Sequence, residues 1–280
     1  MSMTEAERLS IAERAMAWIH EAADRIRTAL PQPLEIGTKS APNDLVTNMD
    51  KSTEQFLVAQ IRGAYPEHQI ISEEGFGDRT RSLEGVLWFV DPIDGTMNFV
   101  KEKQNFAISV AVYENGVPQA AFVYDVVGDE MFHCLHGSGA WSGARRLAPI
   151  SAVVLEDALI DVSPSWLKRN RRIDETVLDE LVLRAAATRA LGAASLELAY
   201  VAAGRFDAYV TMRLSPWDYA AGRMLVEEAG GIVTRIDGRL LDPLATTSLL
   251  AGGKVLQRQI SQHIRQQMAA GKMVREPEDL

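Results

Sequence analysis

The chain has 280 residues, with 29 Lys+Arg against 38 Asp+Glu and a formal net charge of −9. A hydrophobic share of 47% beside 24% charged residues excludes a disordered chain, and the acidic balance argues against nucleic acid held by a general positive field. The single cysteine, Cys134, excludes an internal disulfide and a cysteine-rich zinc site; with no signal peptide and no apolar run of roughly eighteen residues, the expectation is a cytoplasmic protein without a membrane partner.

Residues 4–30 read as a long amphipathic helix. Ala12, Met16, Ile19, Ala23, Ile26 and Leu30 recur on one face at helical spacing, and Pro31 and Pro33 end it. A polar stretch at 37–43 leads to Asp44-Leu45-Val46-Thr47, and a second helix is expected over 50–62. Short strands over 69–72 and 86–90 deliver Glu73-Glu74-Gly75 and Asp91-Pro92-Ile93-Asp94-Gly95-Thr96. From 106 to 135 the pattern turns to strands, with Asn115-Gly116 a strong hairpin signal and Gly128-Asp129 a weaker one. Helices are expected over 174–189 and 193–203, and a strand over 206–212. A further helix, over 217–229, is opened by Pro216 and ended by Gly230-Gly231. A last core strand at 248–251 precedes a closing helix, and the tail from Gly271 is expected to be loose. No repeat or linker interrupts the pattern, so layered α and β elements are expected in one compact domain, 1–280, divisible into halves of about 1–150 and 151–280.

Acids stand where apolar elements stop: Glu73 after one strand, Asp91 and Asp94 after another, Asp218 at a helix start. Each alone has a structural explanation as a turn or first-turn residue. Together, partly desolvated carboxylates stay ionised only with cations between them. Oxygen ligands without His or Cys select Mg²⁺, Mn²⁺ or Ca²⁺ over zinc. Gly95-Thr96 offers amides with no side chain at Gly95, which suits a phosphate. Asp50, Glu73, Asp91, Asp94 and Asp218 carry −5 between them, and two or three divalent ions, roughly +4 to +6, would let this pocket accept a phosphate monoester.

The segments Asp91-Pro92-Ile93-Asp94-Gly95-Thr96-Met97-Asn98-Phe99 and Trp217-Asp218-Tyr219-Ala220-Ala221-Gly222, with Glu228-Ala229-Gly230-Gly231, resemble the paired signatures of the inositol monophosphatase family. Glu73-Glu74 and the stretch from Lys39 to Asp50 match further family segments in order, and the likeness spans roughly residues 10–255. The resemblance implies a layered αβαβα sandwich, a homodimer and Mg²⁺-dependent, lithium-sensitive hydrolysis of a small phosphorylated metabolite, with Mn²⁺ a possible substitute. It implies a first metal on Glu73, Asp91 and the Ile93 carbonyl, and a second on Asp91, Asp94 and Asp218. It further implies a looser third ion beside Glu73 whose water attacks, Thr96 with Asp50 orienting or deprotonating that water, and the Gly95 and Thr96 amides on the phosphate. Gly192-Ala193-Ala194 matches the segment whose backbone contacts the substrate.

Two positions depart from the animal members: Thr211 stands where an acid reads the inositol hydroxyls, and Ser215 where a histidine stands. That opens the substrate to sugar phosphates, a fructose bisphosphate, the 2′-phosphate of NADP or adenosine 3′,5′-bisphosphate. Lys39 is a candidate electrostatic support or an exposed loop lysine. Other motifs read as structural. Asp91 and Asp94 are three apart, not two as in haloacid dehalogenase-type phosphatases; Gly137-Ser138-Gly139 lacks a dinucleotide loop's third glycine; Gly252-Gly253-Lys254 lacks the first half of a P-loop. The basic run Lys168-Arg169-Asn170-Arg171-Arg172 is a solvated loop or a contact for an anion. A non-catalytic, metal-stabilised binding protein is the reading from another class, against which stands the full set of acids.

Overall fold

A computed structural model describes residues 3–38 and 45–279. Helix α1 (Glu5–Ala29) opens on a capping box between Thr4 and Glu7 and buries Ile11, Ala15, Ile19, Ala22 and Ile26. The antiparallel pair β1 (Ile36–Thr38) and β2 (Leu45–Thr47) precedes α2 (Asn48–Ala64). Then follow β3 (Gln69–Ser72), β4 (Val86–Asp94) and the short α3 (Thr96–Lys101). A meander of β5 (Ala107–Glu114), β6 (Val117–Asp125), β7 (Glu130–Leu135), β8 (Ala140–Ser142) and β9 (Arg145–Arg146) comes next. The second half contains β10 (Leu159–Val162), α4 (Thr176–Arg184), β11 (Ala187–Arg189), α5 (Ala194–Ala202) and β12 (Ala208–Leu214). It closes with α6 (Pro216–Glu228), β13 (Ile232–Thr234), β14 (Thr247–Gly252) and α7 (Lys254–Ala269).

The larger sheet has the order β3-β4-β5-β6-β7-β8-β9 and the smaller β11-β10-β12-β14-β13. Alternation along β4 sorts its side chains: Leu87 and Phe89 face the central core, Trp88 and Val90 the outer one. α1 and α2 cover that outer face, α5 and α6 lie between the sheets, and α4 and α7 cover the far face of the smaller sheet. The five layers are the expected αβαβα sandwich. The central pair packs closely because Gly222 carries no side chain: a Cβ there would stand 2.4 Å from the Leu198 Cβ.

The Asn115-Gly116 hairpin forms as expected, with φ of 51° and 79° at its two turn residues. Four expectations are corrected. The strand from Val86 does not stop at Val90 but runs on to Asp94 through a one-residue register slip against β5. The helix expected over 174–189 ends at Arg184, and Ala187–Arg189 instead pairs with β10; an open sheet edge outweighs helix propensity there. The strand expected over 206–212 lies at Ala208–Leu214. The tail is not loose. Ile173 bridges Val274, and buried Glu276 accepts the Ser248 amide at 2.9 Å and its hydroxyl at 2.6 Å. Trp217 is half-buried, and Lys39 lies outside the described residues.

Glu276→Ala strands two buried Ser248 donors and is expected to cost about 2 kcal/mol, read as a lower urea midpoint. An unchanged midpoint would show the tail contributes nothing.

Candidate active site

One pocket gathers the acids. Glu73 follows β3, Asp91 and Asp94 close β4, Asp218 sits in the first turn of α6, and all four line it with Ile93, Gly95, Thr96, Gly192, Ala194 and Thr211. Asp91 and Asp94 would face opposite sides of a regular strand. The register explains why they do not: Asp91 pairs with Ser109 and Asp94 with Ala107, three steps on β4 against two on β5. This bulge, with Pro92 inside it, turns both carboxylates into one pocket.

Backbone donors fix the three aspartates. Asp91 accepts the Ile93 amide at 3.0 Å, and Asp218 accepts the Ser215 amide at 2.7 Å, a backbone contact that does not depend on the side chain at 215. Asp94 accepts the Ala194 amide at 3.2 Å and both the amide and hydroxyl of Ser195 at 2.6 Å, so it caps α5 across the sandwich. Ala193 is fully buried beneath the pocket wall, and a Cβ at Gly95 would stand 2.9 Å from its Cβ. With φ of 89° at Gly95, any other residue there would be strained and obstructed. Asp50 does not line the pocket. It is buried at the start of α2, held by the Thr47 amide and hydroxyl, and accepts the Thr96 hydroxyl at 3.0 Å. The same hydroxyl lies 3.2 Å from the Ile93 carbonyl.

Sequence reasoning missed three supports. Buried Glu54 accepts the Ser72 hydroxyl and the Glu74 and Phe76 amides at 2.6–2.8 Å, and so shapes the loop that carries Glu73. Its signal was legible: Asp50 and Glu54 are acids one helical turn apart on the face that also buries Leu57, Val58 and Ile61. Glu197 accepts the Leu191 and Gly192 amides at 3.0 and 2.6 Å and fixes the Gly192 corner. The Trp166 indole donates to Thr211 Oγ1 at 3.1 Å.

Burial, then the charges of Glu73, Asp94 and Asp218, pushes Asp91 well above the usual carboxylate range. Burial followed by Asp94 and Glu73 does the same to Asp218. Burial lifts Asp94 to about 7, with the Ser195 hydrogen bonds opposing it. Asp50 is raised by burial against the pull of Thr47 and Thr96, and buried Asp161, facing Glu197, reaches about 8. Among the described residues no group of three or more His, Cys, Asp or Glu side chains, as they stand, could hold a metal ion. The donor set nevertheless fits hard cations: every donor is oxygen, and the acids share a pocket in which Arg213 is the one cation among the described lining residues.

Raised acids bind protons in the folded chain that the unfolded chain has already released between about pH 4 and pH 7. Without divalent cations, stability is therefore fullest below that window and falls as pH rises through it. In chelator, Tm is expected to drop between about pH 5 and pH 8, and millimolar Mg²⁺ to flatten the profile by taking the place of the protons. A flat profile in chelator would contradict the electrostatics of the pocket.

Residues 7–269 match the family model described as the inositol monophosphatase family. An inositol-1-monophosphatase of Bacillus subtilis is 50% identical over 250 residues, covering 89% of this chain and 94% of that protein. The crystal structure of inositol monophosphatase-II from Staphylococcus aureus matches with a TM-score of 0.85 at 38% identity, over 93% of this chain and 96% of that one. An IMPase/NADP phosphatase complexed with Mg²⁺ and phosphate matches at 0.84 and 26% identity, over 91% and 95%. No helix among the described residues is long and apolar enough to cross a membrane. The chain belongs to the inositol monophosphatase family, whose members are phosphatases that hydrolyse phosphate monoesters.

Proposed function

We propose that the chain hydrolyses small phosphate monoesters of the inositol monophosphate type with Mg²⁺, acting in the cytoplasm as a homodimer. The observation that carries this reading is the convergence of acids from three separate chain segments on one pocket, beside the first amides of α3. Glu73, Asp91 and the Ile93 carbonyl would hold one ion, and Asp91, Asp94 and Asp218 a second, with Glu73 also facing a weaker third. When bound, such ions offset the ester's charge and lower the pKa of nearby water.

The chain's own residues do the rest. The amides of Gly95 and Thr96, at the start of α3, bind the phosphate oxygens. Thr96, donating to Asp50, keeps its oxygen lone pairs free to accept from the attacking water and fixes its direction. Asp50, made more basic by burial, takes up the proton through that hydroxyl. The Gly192 corner, held by Glu197, and Ala194 form the wall on which the alcohol rests. Thr211 offers an already engaged hydroxyl in place of a carboxylate, so inositol ring hydroxyls lose a charged acceptor and the range of alcohols widens. The homodimer and lithium inhibition rest on the family; the single buried cysteine fits a reducing compartment.

Asp91→Asn and Asp218→Asn are each expected to lower Mg²⁺-dependent kcat/KM for inositol 1-phosphate by at least about 10³ with an unchanged circular dichroism spectrum. Thr96→Val is expected to cost about 10² in kcat. Mn²⁺ should support turnover, and Li⁺ should inhibit it. Hydrolysis undiminished in excess chelator would end this reading.

A further inference from the structure

The smaller sheet carries an acid inside it. β10 lies between β11 and β12, and its Ile160 and Val162 face the far core with α4 and α7, so alternation turns Asp161 toward α5 and the central layer. Asp161 is fully buried, and neither carboxyl oxygen has a hydrogen-bond partner among the described residues. Its register partner on β11, Arg189, is exposed and gives its Nη1 to the Thr188 carbonyl at 2.8 Å. Its partner on β12 is Tyr209, buried in the wall of the acid pocket.

The first turn of α5 presents Glu197 to the same face. Glu197 is itself buried, lines the acid pocket, and accepts the Leu191 and Gly192 amides through a single oxygen, Oε1, at 3.0 and 2.6 Å. Its side chain also meets those of Tyr209 and Asp161, which leaves Oε2 for them. Two carboxyl groups facing each other away from water do not both ionise. Glu197 has two amides to offset its charge and Asp161 has no donor of its own, so the shared proton belongs on Asp161. Burial, then the charge of Glu197, accordingly lifts Asp161 to about 8.

We infer that Asp161 is a positioning residue kept as a neutral acid: it donates its carboxyl proton to Glu197, and through Glu197 it holds the Leu191–Gly192 corner in place for the substrate's alcohol. This rests on the phosphatase reading for what the corner does, and adds a residue that never touches the ester. Without the proton, Glu197 would have to hold both amides while facing a second negative charge; with it, the repulsion becomes a charge-assisted hydrogen bond. The groups that face Asp161 are Glu197 from α5 and Tyr209 from β12, with Arg189 of β11 turned away and Asp94 of β4 in the field of Glu197. Loss of the proton as pH rises past about 8 therefore sets two charges face to face, loosens the corner and weakens the hold on the alcohol.

Two variants test it: Asp161→Asn keeps the shape and a donor, and Asp161→Leu removes the donor. In Mg²⁺ at about pH 7, the infrared spectrum is expected to show the carbonyl band of a protonated carboxylic acid, moved by ¹³C-aspartate labelling and lost in Asp161→Asn. Amide hydrogen exchange at Leu191 and Gly192 should quicken about tenfold in Asp161→Leu and stay near wild type in Asp161→Asn. With inositol 1-phosphate, Asp161→Leu should raise KM about tenfold and change kcat little, while Asp161→Asn restores KM and removes its rise above about pH 8. A missing band, equal exchange in the two variants, or a KM raised as much by Asp161→Asn as by Asp161→Leu overturns the inference. So does a loss in Asp161→Leu that falls on kcat and the Mg²⁺ requirement with KM unchanged, which would make Asp161 a remote support for Asp94. If Asp161→Leu does not fold, the band and the pH profile of Asp161→Asn decide alone. Absence of turnover on any monoester, with the band and the exchange pattern as expected, would sink the phosphatase reading and leave this one standing.

Discussion

The repulsion between buried and half-buried carboxylates is the constraint around which this molecule is arranged. Glu73, Asp91, Asp94 and Asp218 come from β3, β4 and α6, and each apolar layer that brings them together also strips them of water. In water such charges a few ångströms apart interact by about 1 kcal/mol, and by several times that at the effective dielectric of a protein. Directed amides answer part of this demand: those of Ile93, Ala194, Ser195 and Ser215 each point at one acid. The remaining demand is for a counter-charge, which in the proposed function divalent cations would supply.

Around that centre lies a second tier whose members touch no ester. Glu54 shapes the 72–76 loop, Glu197 fixes the Gly192 corner, and Thr47 restrains Asp50. These supports are themselves buried and acidic or hydroxylic, and they orient the carboxylates that face the pocket. Asp94 belongs to both tiers. It lines the pocket and caps α5, so the central helical layer and the acid cluster share one residue.

Much of this was legible in the sequence, for identifiable reasons. The two long signatures and the turn residues at Asn115 and Gly116 encode local geometry, and local geometry can be read from residue type. Helical periodicity gave α1 and α6 closely. What could not be read depends on register. The slips at Asp91–Asp94 and at Thr211–Leu214 exist only because a neighbouring strand counts one residue fewer; Pro92 hints at the first, and no residue announces the second. Without the first slip the two aspartates would stand on opposite faces. The strand Ala187–Arg189 and the fastened tail failed for the same reason, since their partners lie far away in sequence. Glu54 is the exception: an acid on a helix face otherwise apolar was visible and went unread.

The fastened tail has a practical side. Met273 and Arg275 bond to the backbone at Asp174 and Arg172, and Val274 bridges Ile173, so the last residues brace the loop on which Arg172 is mounted. Whatever is fused to the carboxyl end of this protein pulls on a brace that reaches the loop ahead of α4. An affinity handle placed there would load these backbone contacts and not hang from a free end, while leaving the acids of the pocket in place.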